Sequence, residues 1–220
     1  MTATITTFRW VPPFAAGFVR DHRLRWACEE ANLAYDLELI GFDDRETPTY
    51  RARQPFGQVP VWGDDAGSLF ETGAILLRLA RGRETLAPQD EAGFDEVTAW
   101  VIAGLNSVEP HVQNFAGLDT FHGGAPWVEG YRPVAEGLLR GRLAALGTWL
   151  TGRDHLLGRF TVADIIMSTV LRELEGSGVM ADYPAVEAYW RRCEARPGWK
   201  RALEAQLATF RKNAPPSANG

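Results

Sequence analysis

The sequence pattern changes character near residue 83, and this change constrains the fold more than any other feature. Before that point, segments rich in β-branched residues, or alternating polar with apolar ones, predict strands between helices. After it, the strand signals stop and apolar residues recur at helical spacing. We therefore predict an α/β domain at 1–83, a linker at 84–90, an all-helical domain at 91–213 and a flexible tail at 214–220.

The first forty residues predict a strand, a helix and a second strand. Residues 4–10 are rich in β-branched and aromatic side chains, and residues 35–39 alternate apolar with acidic ones. Apolar residues at helical spacing lie between them at 24–31, and Asn32 can adopt the left-handed conformation that ends a helix. Because a helix connects the two strands, we expect them to be parallel.

A hairpin and a further helix complete the predicted first domain. The segments 58–62 and 68–70 flank an Asp/Gly turn, which is typical of two antiparallel strands. Thr72 is placed to cap the helix that follows. The order is then βαβ followed by ββα, which predicts a four-stranded mixed sheet covered by helices.

Three apolar stripes predict helices in the second domain. They are Phe94, Val97, Val101, Leu105, Val108 and Val112; Leu139, Leu143, Leu146 and Leu150; and Val186, Tyr189, Trp190 and Cys193. A segment rich in Gly and aromatic residues, 117–127, is expected to separate the first two stripes, and Asp182 is expected to cap the third helix before Pro184. Thr161 and Asp164 form a capping-box pattern, so we expect a helix to begin there for a structural reason.

Charge and cysteine content exclude several classes of protein. The chain has 220 residues, a net charge of −5 and only two cysteines, so we expect no nucleic-acid-binding surface, no disulfide scaffold and no metal site. The N-terminus shows no secretory leader pattern, and the longest apolar stretch, 165–171, is far shorter than the ~20 residues that span a bilayer. We expect a cytoplasmic protein that does not bind a membrane.

Four motifs follow one another in a meaningful order along the chain. They are RWACEEAN at 25–32, QPFGQVP at 54–60, ETGAI at 71–75 and GRFTVADI at 158–165, and the dipeptides at 183–184 and 196–197 accompany them. Together these motifs resemble those of the soluble glutathione S-transferase superfamily, over nearly the whole chain. The resemblance implies a thioredoxin-like first domain, a helical second domain, glutathione as co-substrate and a homodimer.

The resemblance assigns the glutathione site to the first domain. It implies a cis peptide bond between Val59 and Pro60, with the backbone of Val59 pairing with the cysteinyl part of glutathione. Thr72 would hold the γ-glutamyl carboxylate, Glu71 would meet the ammonium group, and Gln58 would contact the glycyl end. Without the resemblance, Pro60 reads as an ordinary hairpin proline and Thr72 as a plain helix cap.

The thiol-activating group is the point at which the sequence departs from the family. Members usually place a Tyr, Ser or Cys near the start of the first helix, whereas residues 14–22 contain no Ser, Thr, Tyr or Cys. We predict Arg20 as the catalytic residue, together with backbone N–H groups, because a guanidinium close to a thiolate lowers the pKa of the thiol. The alternative is that Arg20 is a solvated surface residue or pairs with Asp21.

Three other side chains near the first helix are candidates to consider for the same role. His22 and Trp10 are weaker alternatives to Arg20, and Trp10 would act through its indole N–H. Cys28 lies on the apolar stripe of the helix, so we expect it to be a buried core thiol and not a nucleophile.

The resemblance also implies a site for an electrophile between the two domains. Its walls would come from the first loop and from the first helices of the second domain, where the candidates are Phe14, Phe18, Asn106, His111, Phe115 and Trp127. We expect a glutathione transferase-like enzyme that activates the glutathione thiol for attack on a small, largely apolar electrophile. The alternatives are a non-catalytic glutathione-binding or regulatory module of the same fold, and a glutathione-dependent reductase or isomerase.

Overall fold

The computed structural model describes residues 2–216, which form a small β-sheet and a series of helices. Strands β1 to β4 are Ala3–Phe8, Tyr35–Ile40, Val61–Asp64 and Gly67–Leu69. Helices α1 to α9 are Asp21–Ala31, Pro48–Arg51, Thr72–Ala80, Glu91–Ile102, Glu109–His122, Val128–Leu150, Val162–Arg172, Pro184–Glu194 and Pro197–Lys212. A π-helical turn, Ala103–Val108, joins α4 to α5, and 3-10 turns lie at Pro13–Ala15, Asp43–Glu46 and Val179–Asp182. Among the described residues, no helix has both the length and the apolar character needed to cross a membrane.

These elements group into two compact units. The first unit contains the described residues up to Leu86 together with those from Pro197 onward, and the second unit is Ala87–Arg196. The predicted division into 1–83, 84–90 and 91–213 remains a prediction. That prediction placed α9 in the helical second domain because of its position in the sequence. In the structure, α9 instead packs against α1. Of the predicted tail at 214–220, residues 217–220 lie outside the described part of the chain.

The first unit is built on a four-stranded sheet in the order β2-β1-β3-β4. Strand β1 runs parallel to β2, with Ile5 opposite Leu37, and antiparallel to β3, with Ile5 opposite Trp62. Strands β3 and β4 form the hairpin that the Asp/Gly turn predicts. The predicted fold class is therefore confirmed: a βαβ–ββα unit comes first, and helices follow it.

Helix α1 buries polar side chains as well as apolar ones. Leu24, Ala27 and Cys28 are fully buried, as their spacing predicts, and Asn32 ends the helix in the left-handed conformation with φ 51°. Four titratable side chains of the same helix are 3% exposed or less: Asp21, His22, Arg23 and Arg25. The reason is that α1 contacts β1, α3 and α9 at once, so little of its surface reaches water.

The second unit buries the predicted apolar stripes, with one interruption. Every residue of the stripes in α6 and α8 is buried. In the first stripe, Phe94 and Leu105 are only partly buried. Leu105 lies in the π-helical turn, which changes the helical repeat. Gly104 lets this turn approach α7 closely, since a Cβ there would lie 2.7 Å from Cγ2 of Ile166. The break expected at 117–127 occurs only at its C-terminal end, because α5 continues into the segment.

The two helix caps predicted in the second unit have different outcomes. Thr161 and Asp164 form the predicted capping box at the start of α7, where the Asp164 carboxylate accepts the Thr161 N–H at 2.8 Å. The prediction for Asp182 is wrong. Tyr183 occupies the cap position of α8, and Asp182 instead accepts a hydrogen bond from Arg140 at 2.6 Å.

Candidate functional site

The loop that leads into β3 carries the first candidate contact. The peptide bond between Val59 and Pro60 is cis, as predicted. The side chain of Val59 packs on the cluster formed by Ile40, Tyr50 and Val61. Among the described residues, no turn or loop hydrogen bond uses the backbone N–H or C=O of Val59. Both groups can therefore pair with the main chain of a ligand, in the way that an added strand does.

Two buried polar side chains hold this loop in place. The Tyr50 hydroxyl donates to the Gln58 carbonyl at 2.6 Å, and the Gln54 side-chain oxygen accepts the N–H groups of Phe56 (2.7 Å) and Gln58 (3.2 Å). Burial raises the pKa of Tyr50 to about 12, so the hydroxyl stays protonated and donates at neutral pH. The sequence assigns neither Tyr50 nor Gln54 a role; the place of Gln54 in the 54–60 motif is the one signal for it.

The residue before α3 has an unusual backbone conformation. Glu71 has φ 69° and ψ 116°, a region that non-glycine residues rarely occupy and that recurs at functional sites. Its side chain is exposed, whereas Thr72 is 6% exposed. Thr72 is the first residue of the helix and Glu71 holds the cap position, so the prediction that Thr72 caps α3 is wrong. The Thr72 hydroxyl is consequently left for other partners.

A buried guanidinium lies beside this hydroxyl. Arg23 Nη1 donates to the Thr72 side-chain oxygen at 3.3 Å, and Arg23 is 2% exposed. The two residues are 49 positions apart and meet because α1 packs against α3. Nothing in the sequence pattern distinguishes Arg23 from the other charged residues of α1, which is why sequence reasoning missed it.

Arg20, the predicted catalytic residue, immediately precedes α1. It is partly buried, and its carbonyl accepts the N–H of Arg23 at 3.1 Å. The neighbouring carboxylate of Asp21 accepts a hydrogen bond from Arg25 Nε at 2.7 Å and another from the side-chain amide of Gln206 in α9. The role of Arg20 toward a thiol stays a prediction.

The other thiol-activating candidates lie in different surroundings. His22 is 3% exposed, and its ring centroid lies 6.1 Å from that of Trp26 and 5.6 Å from that of Trp199. Trp10 follows β1 and is partly buried. Cys28 is fully buried, and burial raises its pKa to about 12. This confirms the predicted core thiol, because a nucleophilic cysteine needs access and a lowered pKa.

The candidate contacts for an electrophile are divided between the two units. The aromatic candidates Phe14, Phe18 and Trp127 are 63%, 43% and 48% exposed. Asn106 is exposed on the π-helical turn, and His111 is partly buried on α5. Phe115 packs against a cluster between α5 and α6, so part of its surface belongs to the core of the second unit. That these side chains meet at one site stays a prediction.

A second polar cluster lies at the capping box of α7. A ring nitrogen of His155, a carboxylate oxygen of Asp164 and Cys193 Sγ all lie within 4.8 Å of one another, a donor set that a metal ion could use. However, the Asp164 carboxylate already accepts hydrogen bonds from the Thr161 and Leu156 N–H groups and the Tyr189 hydroxyl. Burial raises the pKa of Cys193, which keeps the thiol protonated. The hydrogen bonds of Asp164 give this cluster a structural role at the start of α7.

Comparison with known proteins points to one family. Residues 21–81 match the model of the glutathione S-transferase N-terminal domain, and residues 129–197 match that of the glutathione S-transferase C-terminal domain. Probable glutathione S-transferase GSTF2 of Oryza sativa subsp. japonica is 30% identical over 182 residues, which cover 77% of this chain and 84% of that protein. The match therefore extends over most of both sequences.

Other matches differ in the length that they share. Elongation factor 1-gamma 3 of Oryza sativa subsp. japonica is 25% identical over 184 residues, which are 78% of this chain but 44% of that protein. The chain thus spans less than half the length of the elongation factor 1-gamma relatives that it matches first. A glutathione transferase family member from Pseudomonas fluorescens, crystallised with two glutathione bound, has the same fold, with TM-score 0.80, 23% identity and 92% of each chain covered.

Proposed function

The chain belongs to the glutathione S-transferase family, and from that premise we propose that it binds glutathione. The observation that carries the proposal is the presence, within one unit, of an open backbone at Val59 before cis Pro60 and of a helix N-terminus at Thr72. Val59 would pair with the cysteinyl residue, and Thr72 would receive the γ-glutamyl carboxylate, where the dipole of α3 favours an anion. Glu71 would meet the ammonium group and Gln58 the glycyl end.

The reaction that we propose is attack of the glutathione thiolate on a small, largely apolar electrophile. The thiol gives its proton to solvent, sulfur forms a bond to an electrophilic carbon, and the leaving group departs or an epoxide ring opens. Lowering a thiol pKa from ~8.5 by ~2 units requires about 2.7 kcal/mol of preferential stabilisation of the thiolate. Arg20 and the N–H groups at the start of α1 would supply it, since a guanidinium near an anion lowers its pKa by ~1–3 units.

The remaining parts of the proposal concern the electrophile and the assembly. The electrophile would contact Phe14, Phe18, Asn106, His111 and Phe115, most of which offer apolar or aromatic surface. The protein would act in the cytoplasm as a homodimer.

A non-catalytic glutathione-binding module is the second candidate function. Two observations favour it: residues 14–22 lack the hydroxyl or thiol that usually activates glutathione, and the matched relatives include elongation factor 1-gamma proteins. In this case the same Val59 and Thr72 contacts would hold glutathione, and no thiolate would form.

Calorimetric titration with glutathione tests the binding proposal directly, and saturable binding of one glutathione per chain is the expected result. Turnover with aryl halides, epoxides and peroxides then separates the two candidates, because binding without turnover across the panel supports the non-catalytic module.

Ultraviolet titration of the thiol of bound glutathione tests the role of Arg20. We expect Arg20→Ala to raise the thiol pKa by about 1 unit, whereas Arg9→Ala, at an exposed arginine of the same unit, leaves it unchanged. An unchanged pKa in Arg20→Ala removes the role of Arg20.

A further inference from the structure

Arg23 is a buried cation for which the proposed chemistry gives no role. It is 2% exposed and lies in the first turn of α1. A buried guanidinium is stabilised by the hydrogen bonds that it donates, so each acceptor that it contacts matters. The hydrogen bond that it donates to the Thr72 hydroxyl brings it to the N-terminus of α3, the end of the helix that favours an anion.

We propose that Arg23 is a positioning residue for the ligand's carboxylate and acts through the Thr72 hydroxyl. The inference rests on the proposed function, because the carboxylate is that of the γ-glutamyl group of glutathione. Arg23 itself does not need to touch the ligand in this arrangement.

The direction of the hydrogen bond supports this role. A guanidinium has donors only, so in the pair with Arg23 the Thr72 oxygen can only be the acceptor. The hydroxyl hydrogen of Thr72 therefore points away from Arg23. It is left to donate, and a carboxylate, which is acceptor-only when ionised, is the complementary partner.

The positive charge of Arg23, like the direction of its hydrogen bond, favours donation from the Thr72 hydroxyl to a carboxylate. A guanidinium is protonated at every physiological pH, so a permanent positive charge lies behind the hydroxyl. In a chain that runs from guanidinium through hydroxyl to carboxylate, each hydrogen bond polarises the next and strengthens it. The positive end of the α3 dipole adds to this attraction. Together these effects make Thr72 a stronger donor than an isolated threonine.

Arg25 provides a matched comparison on the same helix. It is 1% exposed, and its Nε donates to the Asp21 carboxylate at 2.7 Å. Losing Arg25 removes a buried arginine without affecting the Thr72 hydroxyl. Arg25→Met therefore serves as the control for the general effect of removing a buried guanidinium from α1.

The test compares affinities for two ligands by calorimetry. One is glutathione, and the other is glutathione with its γ-glutamyl α-carboxylate converted to an amide. We expect the wild-type protein to prefer glutathione and Arg23→Met to lose about tenfold in affinity for glutathione, because the Thr72 hydroxyl loses the charged donor that orients it. Affinity for the amide should change little. Arg23→Lys, which keeps a charged donor, should restore part of the preference, and Arg25→Met should leave the preference unchanged.

A double-mutant cycle with Thr72→Val decides whether Arg23 acts through the hydroxyl. If it does, Arg23→Met causes little further loss in the Thr72→Val background. Additive losses, or an unchanged ligand preference in Arg23→Met, overturn the inference while the proposed function stands. Absence of glutathione binding by the wild-type protein removes the proposed function as well. Should Arg23→Met fail to fold, Arg23→Gln keeps a donor without the charge and gives the same comparison.

Discussion

Each of the two units buries an aspartate in the first turn of a helix, and the two carboxylates are stabilised in opposite ways. Asp21, in α1, and Asp164, in α7, are both 0% exposed, and burial raises the pKa of both. The Asp21 carboxylate is bonded to the guanidinium of Arg25. Asp164 has neutral donors instead, which are two backbone N–H groups and the hydroxyls of Thr161 and Tyr189. The Asp21 site is an ion pair, and the Asp164 site is a helix cap whose hydrogen-bond donors are uncharged.

The two aspartates are equally buried, but the residues that bond them lie at very different distances along the sequence. Asp164 is bonded to residues three and eight positions away, so most of its site forms as α7 itself forms. Asp21 also accepts a hydrogen bond from Gln206, which is 185 residues away, so its site requires α9. At these two sites, the first unit depends on a contact between residues 185 positions apart, whereas most contacts of Asp164 in the second unit join residues within eight positions.

Removing Asp21 is expected to have the largest effect on stability. Asp21→Ala leaves the guanidinium of Arg25 buried without its carboxylate, and the loss of one partner of a buried ion pair costs about 4 kcal/mol of unfolding free energy. Urea denaturation measures this loss. The double variant Asp21→Leu/Arg25→Met is the control and should recover much of it, because apolar replacement of both charges is often neutral. A cost below about 1 kcal/mol for Asp21→Ala would contradict the ion-pair interpretation.

Removing Asp164 is expected to cost less, because its partners are neutral. Asp164→Ala leaves the Leu156 N–H, the Thr161 N–H and the Tyr189 hydroxyl without their acceptor, a loss of about 3 kcal/mol. Thr161→Ala, which removes only the reciprocal side chain of the capping box, should cost about 1 kcal/mol in the same denaturation experiment. If the two variants cost the same, the carboxylate contributes only as a cap.

A further effect concerns the two buried thiols, one in each unit. Cys28 and Cys193 are buried, with a pKa raised to about 12 for Cys28 and also raised for Cys193. Because the folded state disfavours each thiolate, stability is full below the ordinary pKa of 9.0 and is lost as the pH rises toward the folded value. We expect each thiol to contribute a loss of about 1.4 kcal/mol between pH 8 and pH 10.

Denaturation of the reduced protein at pH 8 and pH 10 measures this loss. Cys28→Ala tests the first unit and Cys193→Ala the second, and each should reduce the alkaline loss by a similar amount. A pH dependence that neither substitution changes would show that other groups cause it.

The same contrast explains how much the sequence predicts. The four-stranded mixed sheet, the cis bond before Pro60 and the capping box at Thr161 follow from local patterns or from the family motifs, and the structure has all three. The pairs that join distant segments do not follow from a pattern. Arg23 beside Thr72 and Tyr50 on the Gln58 carbonyl exist only once the helices pack.

The failed predictions have the same cause. Thr72 and Asp182 have side chains suited to capping, but each is bound by an arginine from another helix, Arg23 and Arg140 respectively. Tertiary contacts determine the partners of these two polar side chains. A short window of sequence does not contain the residues that make those contacts.

The place of α9 in the first unit has a consequence for synthesis on the ribosome. Residues 87–196, the second unit, emerge as one continuous stretch and can complete their core as they leave the exit tunnel. Asp21 leaves the tunnel 185 residues before Gln206, an interval of roughly 10 to 40 s at ~5–20 residues per second. During that interval α1 lacks one of the helices that bury it. Helix α1 is therefore translated before the second unit but reaches its finished structure only after α9 has emerged.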